Sequence, residues 1–271
     1  MKTSKTKVLT ESAIMIALST VLSIMKIAEM PYGGSVTVAS ALPVAIIAYR
    51  YGVKTGLFAG IVHAALQLVL GLSMLSYATS WQSAVAIIML DYILAFTFIG
   101  IAGIFRSTVK NQAAALTSGV LLYSAIRYLF HVISGATVWA GISIPTAAAL
   151  AYSFVYNATY MIPETIVLAV ATLYVASLID FRSAAPKRIA SDRSVKLPWA
   201  KPAAGLLVCG AVIYDVAEIF EKLQDAKTGE FTLAYLPEVN WLAVIIITAV
   251  AVIASAVILI VNAAIKNKAK A

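Results

Sequence analysis

The chain has 271 residues, 62% of them hydrophobic and 12% charged, with a formal net charge of +8 and a mean hydropathy of +0.93. Soluble globular domains are about 45–50% apolar and about 25% charged, so this composition excludes a soluble fold and makes the chain an integral membrane protein, whose length does not convert into a domain count. The single Cys209 excludes an internal disulfide and has no metal-ligand companion.

The segment Met1–Lys7 and the apolar run after it imitate a signal peptide. The run is too long and no small-residue cleavage site closes it, so it reads as a retained first span. Apolar stretches predict helices near 8–28, 39–50, 53–72, 82–105, 112–138, 150–178, 203–223 and 241–265. Most reach the roughly 20 residues that a span needs. The second is short, and is either steeply placed or partly outside the hydrocarbon. Lipid offers no partner to backbone N–H and C=O groups, so the spans are helices and the fold class is all-α.

In the first helix, Ala13 and Ala17 form a small-x-x-x-small pair, which lets helices approach closely. The loop Glu29–Ser35, with Gly33 and Gly34, is polar and tight. A lid and a plain connection fit it equally. His63 and Gln67, at i and i+4 on the third helix, are suited to hydrogen bonding another helix. In the fifth helix Arg127, His131, Gly135 and Trp139 stand four apart and share one face. An ionisable group at the bilayer centre costs about 2.5–3.5 kcal/mol on insertion scales, so this stripe faces a protein interior or a cavity.

A rise of 1.5 Å per residue puts His131 about 12 Å below Trp139, Asp91 about 15 Å below Trp81, and Asn157 about 10 Å below Leu150. An acid, an imidazole and an amide from three helices thus share one layer, with Trp81, Tyr92, Trp139, Tyr152 and Tyr156 at or above it. Such a set suits a planar organic cation: the carboxylate supplies the counter-charge and aromatic faces add cation–π attraction. An aromatic belt at the membrane surface is the other reading. It accounts for Trp139 and Trp241 but not for Asp91 or Asn157. Arg127 and Glu164 lie deeper on antiparallel neighbours, and an ion pair between them is expected as the floor of the box, with Pro163 kinking the sixth helix there.

The linker 181–202 carries Pro186, Pro198 and Pro202 among six cations, from Arg182 to Lys201. It divides a six-span core (1–180) from a two-span tail (203–271). On the seventh helix Asp215, Glu218 and Glu221 form an acidic stripe, with Asp215 the deepest and suited to helix packing. In a soluble protein a charge of +8 would suggest nucleic acid. Here Lys2, Lys5, Lys7, Arg50, Lys54, Arg106, Lys110, the linker and Lys266–Lys270 all fall on alternate connections, so they mark one side of the membrane. The positive-inside rule makes that side cytoplasmic, with eight spans and both termini inside. The linker cations are suited to anionic lipid. No Gly-x-x-x-x-Gly-Lys-Ser/Thr phosphate loop, His-Glu-x-x-His zinc motif or Gly-x-Ser-x-Gly elbow occurs, so no catalytic, metal or cofactor site is expected.

Four stretches carry a resemblance: Glu-Met-Pro-Tyr-Gly-Gly-Ser (29–35), Leu-Asp-Tyr-Ile-Leu-Ala-Phe (90–96), Arg-Tyr-Leu-Phe-His-Val-Ile-Ser-Gly (127–135) and Tyr-Ser-Phe-Val-Tyr-Asn-Ala-Thr-Tyr-Met-Ile-Pro (152–163). In order and spacing they resemble the ThiT family, the thiamine-specific substrate-binding (S) components of energy-coupling factor (ECF) transporters, over about residues 8–178. The resemblance implies a six-helix vitamin-binding protein in the bacterial cell membrane. Its partners would be a transmembrane coupling subunit and two cytoplasmic ATPases, and its ligand thiamine, with no cofactor. By motif it implies substrate contacts at Asp91 (often Glu in the family), Tyr92, His131, Gly135, Trp139, Tyr152 and Asn157. Trp81 and Tyr32 match more loosely. Gly135 would leave room for a ring, and Ala13 and Ala17 would dock on the coupling subunit. The family fold has six helices, so the two tail spans depart from it. Three other readings stay open on the residues alone: a stand-alone secondary transporter of an organic cation, an S component for another vitamin, and a membrane enzyme.

Overall fold

The computed structural model describes residues 4–30, 33–139, 146–189, 197, 199–223 and 232–268. Tyr32 lies outside them, and so does the side chain of Trp139. Helix α1 (Lys5–Ile24) leads into a hairpin of β1 (Lys26–Glu29) and β2 (Ser35–Thr37). Then come α2 (Leu42–Tyr51), α3 (Val53–Leu70), α4 (Trp81–Arg106), α5 (Gln112–Ser134, continued as a π turn over Gly135–Trp139) and α6 (Ala147–Leu178). A short pairing of β3 (Ile179–Asp180) with β4 (Lys187–Arg188) precedes α7 (Ala200–Leu223) and α8 (Trp241–Lys268).

Seven helices among the described residues are long and apolar enough to cross a membrane. The remaining predicted helix, α2, is short as expected, with ten residues, about 15 Å against a hydrocarbon core of about 30 Å. Non-helical backbone at membrane depth is tolerated only where protein surrounds it, and α2 with its approach is the most enclosed part of the fold. Val44, Ala45, Ile47 and Ala48 have no exposure, and Val36 is 2% exposed. Pro43 opens α2, where its missing N–H costs nothing. Gly52, at φ +94°, turns the chain straight into α3. Close backbone contact packs the surrounding helices: a Cβ on Gly119 of α5 would meet the Ala102 carbonyl oxygen of α4 at 2.0 Å.

One end of the bundle gathers Lys7, Arg50 and Arg182. Arg50 Nε donates to Glu11 at 3.0 Å, and its Nη1 donates to the Phe181 carbonyl at 2.8 Å. Lys7 reaches the Ala184 carbonyl at 2.5 Å. Arg182 donates to the Tyr49 hydroxyl at 2.7 Å and to the Val109 carbonyl at 3.1 Å. Residues 179–184 are therefore tied to the core, with Gln112 Nε2 also donating to the Ile179 carbonyl at 2.7 Å.

The tail packs through α7 onto α6, and α8 packs onto α7. Thr248 of α8 donates to Asp215 Oδ2 at 2.5 Å, and Ser255 to the Ala204 carbonyl at 2.9 Å, so Asp215 serves helix packing. Ala13 and Ala17 lie on the exposed face of α1, beside Leu9, Ile14 and Leu18.

Candidate functional site

At the end opposite the basic cluster, a cavity of about 1050 Å³ opens between α1, the β1–β2 hairpin and α3 to α6. It is at the upper end of the range for small-molecule sites, about 300–1,000 Å³. Asp91, Tyr92, His131, Gly135, Tyr152 and Asn157 all line it. The layer deduced from helix rise is thus one physical chamber. Asp91 and Tyr92 sit on a π turn of α4 (Ile88–Leu94); such wider turns recur at functional sites because they re-aim side chains.

The polar centre is a chain of hydrogen bonds. His131 Nδ1 lies 2.9 Å from Asp91 Oδ1, and the Ser134 hydroxyl donates to Asp91 Oδ2 at 2.6 Å. Arg127 Nε donates to His131 Nε2 at 3.2 Å. The spacing of four along α5 makes this possible, since it stacks Arg127 under His131 on the face turned to α4. Asn157 is 4% exposed. Its Nδ2 donates to the Ser153 carbonyl at 2.8 Å, and its Oδ1 accepts from the Tyr160 hydroxyl at 2.6 Å. Asn157 therefore orders the wall as much as it offers a contact.

Aromatic faces supply the other wall. Tyr152 and Tyr156 are parallel, with centroids 6.3 Å apart and an interplanar angle of 3°. Tyr160 stands edge-on to Tyr156 at 5.9 Å and to His131 at 6.2 Å. The hairpin closes over them: a Cβ on Gly34 would meet the Tyr160 ring at 2.7 Å, and one on Gly33 would meet Met74 Sδ at 2.9 Å. Gly33 also holds φ +88°, so glycine is needed there for backbone as well as for space.

Several expectations are corrected. Trp81 is 73% exposed and is not among the residues lining the cavity; it opens α4 at the rim, where an amphipathic ring belongs. Gly135 lines the cavity and also makes room for Ser153, since its Cβ would meet Ser153 Oγ at 2.3 Å. Arg127 and Glu164 form no salt bridge among the described residues. Glu164 is 3% exposed, and its oxygens accept from the Thr37 N–H at 2.5 Å and the Thr37 hydroxyl at 2.7 Å. The Arg127 guanidinium instead lies 4.7 Å from the Phe96 ring centroid, and the two charges interact through space. Gln67 does bond another helix, donating to Ser23 of α1 at 2.8 Å, whereas His63 packs edge-on to Phe96 with both nitrogens unpaired. Tyr160, Met74 and Tyr77 also line the cavity and were missed. Tyr160 was readable as the third member of the Tyr152, Tyr156, Tyr160 stripe, while Met74 and Tyr77 lie on a 3₁₀ turn that carries no periodic signal.

No group of three or more His, Cys, Asp or Glu able to hold a metal exists among the described residues. Membrane-crossing helices around a polar, aromatic-walled chamber open at one end define a multi-pass membrane protein with a small-molecule binding site. The family model described as "Thiamine transporter protein (Thia_YuaJ)" matches residues 9–181. The thiamine transporter ThiT of Bacillus subtilis (strain 168) is 34% identical over 197 residues, 69% of this chain and 95% of that protein. A solved structure of ThiT from Listeria monocytogenes shares the fold, with a TM-score of 0.51 at 23% identity, covering 64% of this chain and 94% of that one. The chain belongs to the thiamine transporter family, and the family match ends where the tail-bearing segment begins.

Removing Glu164 leaves the Thr37 N–H buried without its acceptor, while the Thr37 hydroxyl keeps Ser40 as a partner, at a cost of about 1–3 kcal/mol. Thermal unfolding in detergent is expected to show Glu164→Ala well below the wild type and Glu164→Gln between the two.

Proposed function

We propose that this chain is the thiamine-binding S component of an ECF-type ATP-driven importer, located in the plasma membrane. The observation that carries the reading is the Asp91 carboxylate, fixed by His131 and Ser134 at the wall of a chamber whose other side is tyrosine. Thiamine is a flat cation with an aminopyrimidine. Asp91 offers it a counter-charge, and Tyr152 and Tyr156 offer faces worth about 0.5–2 kcal/mol each by cation–π contact. The membership in a transporter family supports a binding and translocating role over catalysis, and we assign the chain no reaction.

The basic end of the bundle faces the cytoplasm, as do both termini, and the chamber opens outward. The hairpin serves as the chamber's outer wall and lid. Energy comes from two partner ATPases through a transmembrane coupling subunit, for this chain has no phosphate-binding loop of its own. That subunit docks on the exposed Ala13 and Ala17 face of α1, a side that the tail's packing on α6 leaves accessible. We divide the chain into a binding core (1–180), a basic linker (181–202) that meets anionic lipid, and a membrane extension (203–271).

Calorimetric titration of the purified chain tests the site. Asp91→Ala is expected to weaken thiamine binding by about 10- to 100-fold, the worth of a charge-assisted hydrogen bond; unchanged affinity would remove Asp91 from the site. For docking, Ala17→Trp is expected to abolish uptake in cells that hold the partner subunits while leaving binding by the purified chain intact. Undiminished uptake would place the partner elsewhere.

A further inference from the structure

We infer that Arg127 is a positioning residue for the cation site: by donating its Nε–H to His131 it fixes the imidazole in one neutral tautomer, the one that donates to Asp91. The inference deepens the reading of the chamber as a thiamine site and rests on it for its binding test.

Arginine has five N–H donors and no acceptor, and it keeps its charge throughout the working pH range. A nitrogen 3.2 Å from Arg127 Nε must therefore accept, so His131 Nε2 carries the lone pair. The ring proton is then on Nδ1, which faces Asp91 Oδ1 at 2.9 Å and donates to it. Ser134 donates to the other oxygen at 2.6 Å. Asp91 receives two donors and gives none. A second proton on His131 would set an N–H against the Arg127 N–H and bring two positive charges together at about 3 Å, where their repulsion is large in a partly buried site.

The surroundings hold Arg127 to this task. Its guanidinium lies over the Phe96 ring of α4 at 4.7 Å. Glu164 of α6 balances it through space while spending both oxygens on Thr37. The titratable and charged groups facing the relay are Asp91 from α4, Tyr160 and Glu164 from α6, His63 from α3, and Tyr123 on α5 itself. His63 sits edge-on to Phe96 at 5.6 Å with no hydrogen bond to either nitrogen, so it does not compete for the guanidinium.

The consequence concerns ligand charge. With Arg127 and Glu164 balancing each other, and Lys26 paired with Glu29 on the hairpin, the chamber wall presents the charge of Asp91 beside a neutral imidazole. An imidazolium in that place would cancel the carboxylate and repel a cationic guest. A site of this kind keeps its affinity for a cation when the outside turns acidic.

Two measurements test this. The chain has only two histidines, so nitrogen-15 spectra of the full-length, ligand-free wild type in lipid nanodiscs can be assigned with a His63→Gln variant. His131 is expected to show a neutral ring protonated on Nδ1 from pH 8 to pH 5.5. An Nε2–H ring, or an imidazolium in that range, would overturn the inference whether or not thiamine binds. In the second, thiamine affinities at pH 8 and pH 5.5 are compared between R127M and the wild type, so that any titration of the vitamin itself cancels in the ratio. R127M is expected to lose up to about tenfold more than the wild type on acidification, the limit for an imidazole that titrates at its ordinary pKa of about 6.5. R127K, which keeps a donating cation, is expected to stay near the wild type and also serves if R127M does not fold. An R127M protein as insensitive to pH as the wild type would overturn the inference. A wild type that binds no thiamine would instead end the functional reading and leave the spectra to decide the tautomer.

Discussion

A carboxylate at membrane depth has to be given donors, because lipid has none and an ionised group left unpaired there is expensive. Asp91 receives them from His131 and Ser134, both on α5, which pins α4 to α5 at that level. Arg127, one turn below His131, then has to be accommodated as well, and Phe96 and Glu164 do so from α4 and α6. Three helices are thus brought into register by the requirements of a few charged groups. The tyrosines of α6 face the chamber this leaves, because their hydroxyls and ring faces tolerate a wet, polar interior that aliphatic residues do not.

Glu164 solves a second problem of the same kind. The chain between α1 and α2 enters the bundle as extended backbone, whose N–H and C=O groups are not satisfied by their own neighbours as in a helix. The Thr37 N–H goes to Glu164, and the Ser40 carbonyl accepts from the Ser19 hydroxyl of α1. The hairpin is thereby anchored at its inner end, while its outer turn rests on Tyr156, Tyr160 and Met74 through Gly33 and Gly34. The hairpin is thus held at both ends, by hydrogen bonds at the inner one and by close packing at the outer one.

Much of the site could be read from spacing. Four-residue intervals in α5 and α6 are regular helix, so Arg127, His131, Asn157 and the tyrosines kept the faces that their numbers imply. Reading failed where regular rise failed. Trp81 sets the outer end from which the depth of Asp91 is counted, and counting gives depth but not azimuth; the ring starts the helix at the rim, 73% exposed and away from the cavity. The Arg127–Glu164 pair was a sound match of charge and depth, but the intruding strand between them, three residues long, carries no sequence signature at membrane depth. The cations were legible from their alternation, and the structure brings Lys7, Arg50 and Arg182 to one end of the bundle. The tail was legible as two spans, but its seat on α6 was not, because α7 meets α6 through small residues such as Gly205, whose Cβ would lie 3.0 Å from Val170, and such residues look alike on every face.

The central claim is that one carboxylate, set beside a neutral ring, selects a flat cation. Its most direct test is a pair of calorimetric titrations, thiamine against an analogue whose thiazolium is replaced by an uncharged ring of the same shape, in the wild type and in Asp91→Asn. The account predicts that the wild type prefers thiamine by about tenfold or more and that Asp91→Asn loses most of that preference. Equal affinity of the wild type for the charged and uncharged ligands would contradict it.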